Sequence, residues 1–177
     1  MKKNLIAVAF AATAALSMSN AFAAAGVVNF TGEILDAACT VDVASQNQTV
    51  DLGKYNKTEF NSASGIKTAA TGFDIVLKDC PTTVSSAKVR FDGTPEATDS
   101  RLLAIDSSVA GAAKGVAINL MTADKTNLPL HSLNSYNYNL SSTQPNTLKF
   151  YAQYQSTSSQ VEAGPANSVA NFSVVYN

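Results

Sequence analysis

Few side chains in this 177-residue chain could do chemistry, and their spacing narrows what that chemistry would be. His131 is the one histidine, set between Leu130 and Ser132 in a polar stretch. A serine hydrolase would need it as the base, yet no Gly-x-Ser-x-Gly elbow exists to supply a nucleophile. A solvated loop histidine is the better account, and the chain reads as a non-enzyme with no cofactor. Asp92, Glu96 and Asp99 stand close together, but their spacing matches no EF-hand loop, so a solvated turn is expected. Asn-x-Ser/Thr triplets begin at Asn29, Asn47, Asn56, Asn139 and Asn171. In a chain so rich in Asn, Ser and Thr they arise by chance, and two fall within expected strands. The remaining chemistry belongs to two cysteines, Cys39 and Cys80. An even pair in an exported chain reads as a disulfide. The rivals are free thiols or half of a zinc site, and a single histidine makes zinc improbable.

Export is the premise of that reading, and the first residues carry it. Met1–Ala23 reads as a secretory leader: Lys2 and Lys3 precede an apolar run from Leu5 to Leu16, and Ala21-Phe22-Ala23 forms a small-x-small cleavage site. Cleavage removes two of the 12 basic residues and none of the 13 acidic ones, leaving a net charge near −3. Such a surface gives no electrostatic reason to expect nucleic acid or an anionic membrane as partner.

The elements that must position the cysteines read as strands throughout. Gly26–Leu35 alternates, with Val28, Phe30 and Ile34 on one face, Gly32 between them, and Asn29, Thr31 and Glu33 on the other. Short alternating runs follow at Cys39–Val43 and Gln48–Gly53, then a long polar connection from Asn56 to Ala70. Gly72–Cys80 is a strand ended by Pro81. Lys88–Phe91 is a short strand stopped by the turn dipeptide Asp92-Gly93. Leu102, Leu103 and Ile105 form an apolar patch, Val109–Gly115 a connection, and Val116–Met121 another alternating run. Leu128-Pro129-Leu130 reads as a short edge segment and Ser132–Gln144 as polar loop. Thr147–Gln155 is a long strand, and Ser168–Asn177 alternates Ala170, Phe172, Val174 and Tyr176 against polar residues. Strands about ten residues apart with polar turns predict an all-β antiparallel sandwich. A lone leading strand and an uncovered last edge call for a shared solution.

Taken together, these features resemble the pilin subunits of chaperone–usher fimbriae, most closely the type 1 major subunit. The resemblance covers the whole chain after the leader. It rests on Gly32 seven residues before Cys39, on Cys80 closing GFDIVLKDC, on the penultimate Tyr176, and on Gly164, fourteenth from the C-terminus. It implies an incomplete immunoglobulin-like β-sandwich lacking its last strand and completed by donor-strand exchange. Residues 24–36 would be the donor extension and 37–177 the pilin domain. A periplasmic chaperone would first lend a strand to the open groove. At an outer-membrane usher, the extension of the next pilin subunit would then displace it. The contact is head-to-tail and grows a filament at the cell surface. By resemblance, the inserted positions fall on Val28, Phe30, Gly32 and Ile34, and the disulfide on Cys39 and Cys80. The groove edge bound by the chaperone falls on Gly164, Phe172, Val174 and Tyr176. The extension is shorter than in typical major subunits, which leaves a minor, adaptor or terminating subunit open. A self-contained carbohydrate-binding adhesin module is the alternative from another class.

Overall fold

The computed structural model describes residues 26–34, 38–60, 63–133 and 136–177. The leader, Ala24 and the boundary between residues 36 and 37 lie outside them. The chain divides into two units, residues 1–34 and 35–177.

In the first unit, residues 26–34 carry neither strand nor helix. Val28, Phe30 and Ile34 are 74%, 92% and 96% exposed. The alternation that predicted a strand is present, but a strand also needs a ladder partner for its backbone groups, and alternation alone does not supply one.

In the second unit, strands form where alternation is longest. In chain order they are β1 (Thr40–Val41), β2 (Thr71–Lys78), β3 (Ser86–Gly93), β4 (Leu103–Ala104), β5 (Val116–Met121), β6 (Tyr138–Asn139), β7 (Asn146–Ser156) and β8 (Ala170–Tyr176). One helical turn, α1 (Val43–Gln46), and a 3₁₀ turn at Lys57–Glu59 are the other elements among the described residues. The strands make two sheets, ordered β1-β2-β7-β5-β4 and β6-β3-β8, with every ladder antiparallel.

The sheets meet on apolar faces. Phe73 of β2 and Phe150 of β7 are register partners whose rings stack at 5.6 Å. Phe91 of β3 comes edge-on to both, at 6.1 and 5.4 Å, and so bridges the two sheets. Edge-to-face pairs of this kind are worth about 0.5–1.5 kcal/mol beyond the area they bury. Cys39 and Cys80 are joined by a disulfide.

Several expectations are corrected. Cys39–Val43 is strand for two residues only, because Asp42 accepts from Ala44 N (2.9 Å) and caps α1, leaving Val43 80% exposed. Gln48–Gly53 forms no ladder, and Gly53 at its end takes a left-handed φ of 84°. Asp92-Gly93 does not turn; both residues pair within β3, opposite Asn171 and Ala170. β5 is buried on both faces, and the chain after it turns back beside its end, where Asn127 bridges Met121. Asn119 Nδ2 donates to Asn127 Oδ1 (3.0 Å), and Leu128 N donates to Leu120 O (2.8 Å). Leu128-Pro129-Leu130 thus starts beside β5 as the short edge segment expected, and Leu128 and Leu130 are in addition buried in the core. The polar stretch from Ser132 contains β6, whose Tyr138 is buried and donates its hydroxyl to Lys149 O (2.8 Å).

Candidate functional site

β8 ends the three-stranded sheet. β3 occupies one of its edges, and no strand pairs with the other among the described residues. The alternation of β8 turns Phe172, Val174 and Tyr176 toward the core, yet each is only half-buried. On β7, which has a strand on either side, Leu148 and Phe150 are each 1% exposed. The difference marks where the core lacks cover.

The missing cover is a groove of about 1040 Å³ in the second unit. Its floor is apolar: Phe73 and Ile75 from β2, Ile118 and Leu120 from β5, and Ala152 from β7. One wall is the start of β8 with Phe172, and the other is residues 45–55. That second wall is pinned at three heights. Val76 N donates to Ser45 Oγ (2.9 Å), Gln48 Nε2 to Asp74 O (3.1 Å), and the Tyr55 ring meets Tyr154 edge-on at 6.2 Å. The wall therefore runs from the Tyr176 end of β8 toward its Ala170 end, antiparallel to β8 across the gap.

Local chemistry fixes both ends of the wall. Asp42 caps α1 and pairs with Lys78, and that ion pair holds the Asp42 carboxyl below the usual carboxylate range. At the far end Asn56 accepts from Thr58 N (3.1 Å), while Glu59 Oε1 accepts from Asn56 N (3.0 Å), a reciprocal cap. The Tyr176 hydroxyl points to Cys39 O at 3.5 Å, so the last strand meets the disulfide; burial pushes its phenol up.

Gly164 lies in the loop that closes the Ala170 end of the groove. A Cβ there would be driven into Gly111 O and would lie 2.7 Å from Ala113 N and 2.8 Å from Ala112 C. Glycine is required at this position because two backbones touch. Around Gly32, by contrast, a Cβ would meet nothing within 4 Å.

The structure thus gathers Cys39, Cys80, Phe172, Val174, Tyr176 and Gly164 into one domain, around or beside one groove. Val28, Phe30, Gly32 and Ile34 belong to the other unit and are exposed. The wall at 45–55 was not read from sequence as part of a site. The alternation of Gln48–Gly53 predicted a strand, but not that the whole run borders a groove.

His131 is not a free loop residue. Its Nδ1 lies 2.9 Å from Asp92 Oδ1 and its Nε2 3.0 Å from Gly93 O, which ties the 130–133 turn to β3. The contact with His131, and then Arg90, lowers the Asp92 carboxyl. Asp99 is engaged by Arg101 through two bonds of 2.8 Å. Among the described residues no three metal-binding side chains converge.

Residues 28–177 match the sequence model of a family described as Fimbrial protein. A probable major fimbrial subunit, LpfA, from Escherichia coli O157:H7 is 41% identical over 174 residues, 96% of each chain. The type-1 fimbrial protein A chain of Escherichia coli strain K12 is 36% identical across 99% of this chain and 100% of its own. Among solved structures, a chain of a chaperone–usher pilus aligns with a TM-score of 0.64 at 25% identity, covering 86% of this chain and 95% of that one.

Proposed function

The chain belongs to the fimbrial protein family as a structural subunit of a chaperone–usher pilus with an incomplete immunoglobulin-like sandwich, and from that premise we propose that its copies join by strand donation. The carrying observation is the unpaired edge of β8 above an apolar groove. Residues 26–34 of a second copy are the donor. Fully extended they span about 30 Å, against about 23 Å for β8. Val28, Phe30 and Ile34 would fill the floor, with Gly32 where the backbones approach closely. Their burial contributes at most roughly 5–9 kcal/mol, offset in part by ordering a free segment.

An edge so exposed is an aggregation hazard until it is paired. On this reading a periplasmic chaperone occupies the groove during export, and an outer-membrane usher hosts the exchange. The product is a head-to-tail fimbrium at the cell surface. Gly164 shapes the end of the groove, while Phe172, Val174 and Tyr176 form the edge that chaperone and donor take in turn.

The test is Phe30→Asp in the full chain, followed by electron microscopy and by purification of the subunit. Expected is a folded subunit that accepts a synthetic peptide of residues 25–35 but forms no filaments. Normal filaments from this variant would refute strand donation.

A further inference from the structure

The groove carries charge at one end only, and so does the segment that would enter it. Glu33 is the one ionised side chain within residues 26–34, and it stands beside Ile34 at the segment's C-terminal end. On the acceptor, Lys54 and Lys57 line the groove, both exposed, and neither has an ion-pair partner among the described residues. Of the other ionisable residues at the groove, Glu162 pairs with Lys114 at 2.8 Å, whereas Asp51 Oδ1 accepts from a neutral donor, Gly53 N, at 2.8 Å. At the opposite end, Lys78 is paired with Asp42.

Position gives these charges meaning. The wall runs from Ser45, beside Val76, to Tyr55, beside Tyr154, so Lys54 and Lys57 lie at the end of the groove where β8 begins. A donor antiparallel to β8 brings its C-terminal end, and so Glu33, to that same end. Antiparallel is also the sense of every ladder in both sheets. A parallel donor would carry Glu33 to the Tyr176 end, where the nearest lysine is already paired.

We propose that Glu33 of an incoming copy pairs with Lys54 and Lys57 of the acceptor, and that this pairing fixes the direction and register of the inserted strand. The inference rests on the strand-donation reading above. Glu33 falls on the face opposite Val28, Phe30 and Ile34, so the pair forms at the solvent-facing rim. A rim pair acts mainly on encounter and orientation, and salt screens it. Asp51, three residues before Lys54, penalises a donor displaced along the wall.

The experiment uses the full chain carrying Phe30→Asp as acceptor, which keeps its groove but cannot donate. The probe is a fluorescent, end-blocked peptide of residues 25–35, and its uptake rate is read by anisotropy. Peptides with Glu33 or Glu33→Lys are each offered to acceptors with the native lysines or with Lys54→Glu and Lys57→Glu. At low salt, either reversal alone should slow uptake roughly two- to fivefold, the range of exposed pairs. The double reversal should restore the rate, and about 1 M salt should erase the differences. Equal rates in all four combinations, or differences that persist at high salt, would overturn the pairing while leaving strand donation intact. No uptake of the native peptide by either acceptor would overturn both.

Discussion

Replacing Gly164 with alanine tests whether the end of the groove is built by backbone contact. The added methyl would overlap Gly111 O and crowd Ala113 N and Ala112 C, all main-chain atoms that no rotamer change can move aside. Relief requires residues 110–114 and 162–165 to separate. Three bonds hold those segments: Ala113 N to Pro165 O (2.9 Å), Lys114 N to Glu162 O (3.2 Å) and Glu162 N to Lys114 O (3.0 Å). Overpacking costs about 1–3 kcal/mol, and each strained bond adds roughly 0.5–1.5 kcal/mol. Since separation relieves the overlap as it strains the bonds, the two do not add in full, and the expected loss is about 2–4 kcal/mol. Urea denaturation of the full chain reads it. Gly26→Ala is the control, because a Cβ there meets nothing within 4 Å, and a shift within about 0.5 kcal/mol is expected. Peptide uptake should fall in Gly164→Ala, since the displaced loop lines the groove. A Gly164→Ala protein as stable as the control would refute the contact as drawn.

Two further outcomes are expected. Cys39→Ser with Cys80→Ser opens a bridge between residues 41 apart, which should cost about 4 kcal/mol on the chain-entropy model; urea midpoints measure it, and alkylation of the native protein without reductant would contradict the bond. Asp42, Asp92, Asp99, Asp106 and Asp124 all have carboxyls lowered from 3.8 in the fold, chiefly by Lys78, His131, Arg101, Ser108 and Thr122 respectively. A depressed folded value adds stability that is present above the unfolded value and lost as pH falls through the folded one. Urea midpoints should therefore hold from neutral pH to about 5 and drop below about 4; a midpoint unchanged at pH 3 would contradict these contacts.

The long strands were legible because burial on one face imposes a period of two. β2, β7 and β8 carry Phe73, Phe150 and Phe172 at matching positions, and each strand forms where the alternation lies. β5 was legible as a strand, but not as doubly covered, since Asn119 on its outer face is held by Asn127 from the loop that follows. The dipeptide Asp92-Gly93 misled because its turn propensity is local, whereas seven register pairs between β3 and β8 are not. Tyr138 went unread because a two-residue strand has no period. The edge residues Phe172, Val174 and Tyr176 could be named from sequence. The facing wall could not, since Ser45, Gln48 and Tyr55 are held by single contacts to strands far along the chain.

The disulfide has a mechanical consequence. β1 contributes just two register pairs, Thr40 with Lys78 and Val41 with Leu77. Tension arriving along the backbone from residue 38 would peel so short a strand from its neighbour almost bond by bond. Cys39 precedes β1, however, and its covalent link to Cys80 delivers the load to the chain just beyond the end of β2. From there it spreads into the seven pairs that β2 makes with β7. Strain entering the domain thus bypasses a two-pair ladder and is borne by the middle of the five-stranded sheet.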